Sequence, residues 1–167
     1  MNEVRSQKSE VRSGFRPDDF AKAKVATRKL RWAGLIAAIL VYLQCLLGGL
    51  VGSRWALHQC FGGSQLCDVM NSHIIGVFPA TIATLTVVWM AWRNVAFDSL
   101  LRKLSWVVGG IVVLQVLLGV ATFRLHLQVE PLTVAHHTVG AALFGTLVAL
   151  TTLALRESEV KSFQVRS

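Results

Sequence analysis

Four long apolar runs constrain this chain more than any other feature of its sequence. They cover residues 32–52, 69–92, 104–123 and 134–155, and none contains Asp, Glu, Lys or Arg. About 20 apolar residues in a helix cross the hydrocarbon core of a bilayer. The segments between the runs hold only 10 to 16 residues, too few to return across a membrane. The sequence therefore predicts an all-α membrane protein, an antiparallel bundle of four transmembrane helices.

The basic residues predict how this bundle is oriented. Nine of the 17 Lys and Arg residues lie in residues 1–31, three lie between the second and third runs, and three follow the fourth. Only Arg54 and Arg124 lie on the other side, so the positive-inside rule places both termini in the cytoplasm. Basicity that is distributed in this way indicates topology, and we expect a lipid bilayer and no nucleic acid as a partner.

Three segments follow from this distribution. Residues 1–31 are predicted to be a disordered cytoplasmic basic tail, residues 32–155 the transmembrane domain, and residues 156–167 a C-terminal cytoplasmic tail.

The chain also contains an internal repeat of one helix pair. A Leu-Gln-x-Leu-Leu-Gly motif occurs in the first and third runs, and a His-x-x-Gly motif opens the second and fourth. The repeated positions are Gln44 and Gly48 with Gln115 and Gly119, and His73 and Gly76 with His137 and Gly140. Pseudo-twofold symmetry of two such pairs puts the two histidine-bearing helices diagonally opposite each other.

The histidines are the candidate metal ligands. His73 and the pair His136 and His137 each stand a few residues inside a span, at a similar depth. An ionisable side chain inside a membrane is costly and points to function, and diagonal histidines suit the two axial positions of a haem. On the face of His73, Gly76, Ala80 and Ala83 are expected to leave room for the flat macrocycle. The alternative is that the histidines only form hydrogen bonds between helices.

Other polar residues have two interpretations each. Gln44 and Gln115 either bond a neighbouring helix or reach the polar edge of a ligand. Arg54 and Arg124, at the outer ends of spans one and three, either pair with haem propionates or extend to lipid phosphates. Cys60 and Cys67 share the first outer loop.

Gly62 and Gly63 lie between these two cysteines, so we expect a disulfide, against two free thiols or an intermolecular bond.

Taken together, residues 40–155 resemble the haem A synthase family. The resemblance is carried by Leu-Gln-x-Leu-Leu-Gly, by the paired loop cysteines, by Asn71-Ser72-His73 with Gly76, and by Leu132-Thr133-Val134-Ala135-His136 followed by Gly140-Ala141. It implies a four-helix bundle whose second and fourth helices supply histidines to a haem. It also implies His73 as the first ligand and His136 as the second, whereas the repeat favours His137.

The chain departs from this family in two ways. Members usually have eight spans in two halves, and this chain has the length of one half, so a homodimer or a second four-helix half would rebuild the assembly. Many members carry a glutamate one turn before the first histidine, where this chain has Met70.

The resemblance implies an oxidoreductase of haem A biosynthesis that oxidises a methyl group of haem O to formyl. Haem b, haem O as substrate, a haem O synthase as partner and a role in cytochrome oxidase assembly are the expected associations. The expected location is a bacterial plasma membrane or an internal energy-transducing membrane. The alternatives are a non-catalytic b-type cytochrome or haem-handling assembly protein, and a structural subunit without haem.

Overall fold

The four predicted spans are four long helices in a computed structural model, which describes residues 17–52, 65–93, 99–125 and 129–166, with side chains in 25–52, 68–93, 99–125 and 129–156. The helices are α1 (Pro17–Gly52), α2 (Gln65–Arg93), α3 (Ser99–Arg124) and α4 (Glu130–Arg166). Each contains a charge-free apolar stretch long enough to cross a membrane. The chain is an integral, multi-pass membrane protein, and the predicted all-α fold class is confirmed.

The helices form a ring in chain order. α1 packs against α2 and α4, and α3 packs against the same two helices, so α2 and α4 lie diagonally opposite each other. This arrangement agrees with the diagonal placement that the repeat predicts. Successive helices run antiparallel, because each short connection joins ends that lie on the same side of the bundle.

The first and last helices, α1 and α4, continue beyond the predicted spans. α1 begins at Pro17, within the basic segment predicted to be disordered, and α4 continues through the predicted C-terminal tail to Arg166. Pro suits the first turn of a helix, and the Ala, Lys and Arg residues that follow are strong helix formers. A hydropathy criterion detects only the part of a helix that lies in lipid, which explains the difference.

The core follows one stripe along each helix. Its members are small or aliphatic, and in α2, α3 and α4 they recur every three or four positions, the period of one helix face. They are Leu30, Ala37, Ala38 and Val41 in α1, Ala80, Thr84, Val87 and Ala91 in α2, Leu101, Ser105, Val108 and Val112 in α3, and Leu143, Leu147, Leu150 and Ala154 in α4. All of them lie toward the end of the bundle where the chain enters α1, so the apolar core fills this end and the middle.

Many of the other apolar side chains face outward. Ile75, Phe78 and Trp106 are each more than 60% exposed, as expected of side chains that contact lipid. Trp89, Trp92 and Trp106 form a row, with ring centroids 6.2 and 5.8 Å apart, and Arg93 lies 5.0 Å from the centre of the Trp89 ring. Aromatic and basic side chains at one level are typical of a membrane–water interface. They mark the end of the bundle opposite the histidines.

Candidate functional site

Polar side chains with unpartnered atoms are concentrated at the end of the bundle opposite the row formed by Trp89, Trp92 and Trp106. Most hydroxyl groups in the spans donate to a carbonyl of their own helix. The Thr84 hydroxyl, for example, lies 2.8 Å from the carbonyl oxygen of Ala80. Amide and imidazole groups are less easily satisfied within one helix. Among the described residues, the buried side-chain atoms without a hydrogen-bond partner are Gln44 Oε1, His73 Nδ1, Gln115 Oε1 and His136 Nδ1. Buried polar atoms of this kind are rare, so this level of the bundle is the candidate site.

Two of these side chains join α1 to α2 by reciprocal packing. The ring of His73 lies against Gly48 of α1, with Cε1 only 3.1 Å from the position that a Cβ would have there. In return, the amide of Gln44 lies against Gly76 of α2, so closely that a Cβ would overlap it. A polar side chain of each helix therefore fills the gap that a glycine leaves in the other.

The second helix pair repeats this packing. The ring of His136 lies against Gly119 of α3, with Cε1 3.0 Å from the position of a Cβ. Gln115 Nε2 lies 3.0 Å from the corresponding position on Gly140 of α4. The repeated glutamine, histidine and glycine positions of the sequence are therefore one structural unit that occurs twice.

This packing pairs His73 with His136, although the repeat aligns His73 with His137. Gly76 lies three residues after His73, whereas Gly140 lies four residues after His136. Both spacings put the two residues on the same helix face, so the packing tolerates a difference that a sequence alignment does not. His137 points to α1 instead, with Nε2 2.7 Å from the position of a Cβ on Gly52.

The two equivalent histidines meet in the middle of the bundle. The ring centroids of His73 and His136 are 6.4 Å apart, and the ring planes are at 89° to each other. A first-row metal lies about 2 Å from an imidazole nitrogen, and each ring centre lies about 1 Å behind its nitrogen, so two rings that share a metal have centres about 6 Å apart. A centroid separation of 6.4 Å therefore brings the two imidazoles close enough to share a metal ion.

The space predicted beside His73 is occupied. Gln44 fills the gap at Gly76, while Ala80 is buried in the core and Ala83 packs against it. The expectation that these three small residues leave room for a macrocycle was wrong, because the sequence does not show which side chain of a neighbouring helix enters a glycine gap. At the level of the histidine rings, beyond the end of the apolar core, the bundle contains polar side chains.

The structure also locates part of the remaining predicted set. Arg124 is the last residue of α3 and is exposed at the same end of the bundle as the histidines. Arg54 and Cys60 lie outside the described residues, and so does the side chain of Cys67, so the disulfide stays a prediction. In the described part of the chain, no group of three or more His, Cys, Asp or Glu side chains is arranged to hold a metal ion.

One further residue, Cys45, borders the site. Cys45 is half-buried next to Gln44, and its Sγ lies 3.5 Å from the position of a Cβ on Gly140. The repeat contains the signal, because the corresponding position in the third span is Val116. Cys45 is thus a chemical difference between the two otherwise similar halves.

Comparisons of this chain with models of known families, with curated proteins and with solved structures found no match.

Proposed function

We propose that this chain is a haem-binding membrane protein in which His73 and His136 would hold the iron. The observation that carries this proposal is the pair of imidazoles from diagonal helices, whose ring centroids are 6.4 Å apart. Helix bundles commonly hold cofactors between facing helices, and neutral imidazole is a frequent iron ligand. The bis-histidine type of site is that of a b-type cytochrome.

Two features of the residues present suit this group, although Gln44 occupies the gap at Gly76. Each histidine has a buried Nδ1 without a partner, and each ring is positioned by a glycine of the neighbouring helix, Gly48 or Gly119. His136 Nε2 bonds Gln115 of α3, whereas the buried Nδ1 of each histidine has no partner, so interhelical hydrogen bonding does not account for all of the buried ring nitrogens. A bound haem would supply one-electron redox chemistry at a potential set by its ligands and surroundings.

The chain itself would position the haem ligands and exclude water from the site. The glycine contacts restrict the rotation of both imidazoles, so little freedom is lost when they bind a ligand. Leu143 and Val112 are buried next to the site. They belong to the apolar core, which separates the site from the end of the bundle where the chain enters α1. Arg124 is available at the outer surface for a propionate, with lipid phosphate as its alternative partner.

Titration of the purified protein with haem tests this function. We expect one haem to bind per chain and to give the absorption spectrum of a six-coordinate, low-spin b-type cytochrome. A folded, helical protein that shows no haem spectrum at saturating haem would contradict the proposal. It would leave the structural subunit, in which the histidines only join helices.

A second candidate is a haem A synthase-like oxidoreductase that acts on the methyl group of haem O. It is favoured because the residues that carry the resemblance are those that converge at the site: Gln44, Gly48, His73, Gly76, Gln115, Gly119, His136 and Gly140. Oxidation of a methyl group to formyl removes four electrons and takes an oxygen atom from water, so this candidate needs an electron acceptor. A haem held by His73 and His136 would supply the electron transfer. A homodimer or a second four-helix half would add the second haem position that this candidate needs.

Co-expression with a haem O synthase separates the two candidates. The oxidoreductase is expected to convert haem O to haem A, detected by the mass of the extracted haem. Met70 stands where the resemblance would place a glutamate, and we expect M70E to raise the yield if the acid is required. Haem-loaded protein that forms no haem A under these conditions would leave the b-type cytochrome.

We further propose that both termini lie in the cytoplasm of a bacterial or energy-transducing membrane. In the described part of the chain, Arg28, Lys29 and Arg31 of α1 lie at the same end as Arg93, Arg102, Lys103 and Arg156, whereas Arg124 lies at the other. Phosphatase fused after residue 167 is expected to be inactive, and phosphatase fused within the segment that follows α3 to be active. The reverse pattern would overturn this orientation.

A further inference from the structure

We propose that Gln115 occupies the iron-binding nitrogen of His136 in the ligand-free protein, so that this amide has to leave before haem can bind. The inference rests on the proposed function and adds a step to it. It makes Gln115 a residue that controls haem loading, a role distinct from that of an iron ligand.

The contact between the two side chains carries the argument. Gln115 Nε2 lies 3.4 Å from His136 Nε2, a hydrogen bond between α3 and α4. An amide nitrogen can only donate, so the ring nitrogen must accept, and Nε2 therefore contributes its lone pair to this bond. Iron coordination uses a lone pair of the neutral imidazole as well. Because the same ring nitrogen cannot serve both partners, the amide and the iron compete for His136.

The second ring nitrogen does not offer an alternative. His136 Nδ1 is buried and has no hydrogen-bond partner, and it carries the proton when Nε2 accepts. A protonated nitrogen has no lone pair for a metal. Nε2 is consequently the nitrogen that must be freed in this tautomer.

The amide of Gln115 has one hydrogen bond to lose. Gln115 Oε1 is buried without a partner, so the bond to His136 is the one hydrogen bond that this amide makes among the described residues. The amide packs against Gly140 of α4, since a Cβ there would lie only 3.0 Å from Gln115 Nε2. The local change that accompanies haem binding is therefore the loss of the hydrogen bond between Gln115 and His136 and the formation of one iron–nitrogen bond.

Stopped-flow haem binding and equilibrium titration of Q115L test the proposal. Leucine removes the competing donor, so we expect association to be about fivefold faster and the dissociation constant about fivefold lower, the equivalent of one hydrogen bond of roughly 1 kcal/mol. Q115M preserves the length of the side chain and should behave alike. The control is T138V, because the Thr138 hydroxyl is exposed and donates to Val134 of its own helix.

The results separate this proposal from the proposed function. Unchanged or slower association in both Gln115 variants, with haem still bound, would overturn the role of Gln115 and leave the haem site intact. No haem binding by the wild type would overturn both. A direct readout needs no variant: nitrogen NMR of the ligand-free, ¹⁵N-histidine-labelled wild type should show His136 protonated at Nδ1, and protonation at Nε2 would contradict the proposal.

Discussion

Replacing His73 or His136 by alanine is expected to abolish haem binding. Each substitution removes one of the two imidazoles whose centroids are 6.4 Å apart. Loss of a partner that only orients a metal ligand costs about 10- to 100-fold in affinity, so loss of a ligand itself should cost at least about 100-fold. Titration of each purified variant with haem, followed by absorption, measures the effect.

The matched control for these variants is H137A. His137 is adjacent to His136 in sequence, but its ring packs against Gly52 of α1. We expect H137A to bind haem with an affinity within a few-fold of the wild type. If H137A lost haem and H136A kept it, the assignment by packing would be wrong and the sequence repeat would have identified the ligand.

Valine in place of Gly48 or Gly119 is expected to have the second largest effect. A Cβ at these positions would lie 3.1 Å from Cε1 of His73 and 3.0 Å from Cε1 of His136, closer than ordinary van der Waals contact. The two additional methyl groups of valine have to displace the ring. We expect haem affinity to fall by about 10- to 100-fold, the effect of disturbing an outer contact of a metal ligand. G48A and G119A should show a smaller loss.

The chain offers controls for this prediction within the same helices. Nothing lies within 4 Å of a Cβ built on Gly49 or Gly110, so G49V and G110V should leave haem affinity unchanged. These controls also correct for the general effect of valine in a helix. Equal losses in all four variants would show that helix stability, and not the position of the imidazoles, determines haem binding.

The fold could be predicted from the sequence because lipid imposes a simple requirement. Long charge-free runs have to be helices, and short connections have to join antiparallel neighbours. Helix ends could not be predicted, since α1 from Pro17 and α4 to Arg166 continue outside the apolar runs on local helix propensity. Periodic repetition of the helix pair predicted the diagonal placement of α2 and α4, which the structure has.

The site could be predicted in part. Gln44, His73 and Gln115 were identified from the repeat and from their polarity in apolar spans. The choice between His136 and His137 could not be made, because spacings of three and four residues share a helix face and only the neighbouring glycine distinguishes them.

The use of the glycines was also unpredictable. From the sequence, Gly76 could leave space either for a ligand or for a side chain from α1. In the structure, the side chain of Gln44 occupies this space. Such pairings between helices depend on rotation about the helix axis, which sequence periodicity does not fix.

The central claim is that His73 and His136 hold one iron between them, and the EPR spectrum of the ferric, haem-loaded wild-type protein tests it most directly. Two axial imidazoles predict a low-spin signal, and ring planes at 89° predict one of the strongly anisotropic type with a large maximum g value. A high-spin signal from the stoichiometrically loaded protein would show that at least one axial position lacks an imidazole, and would contradict the account.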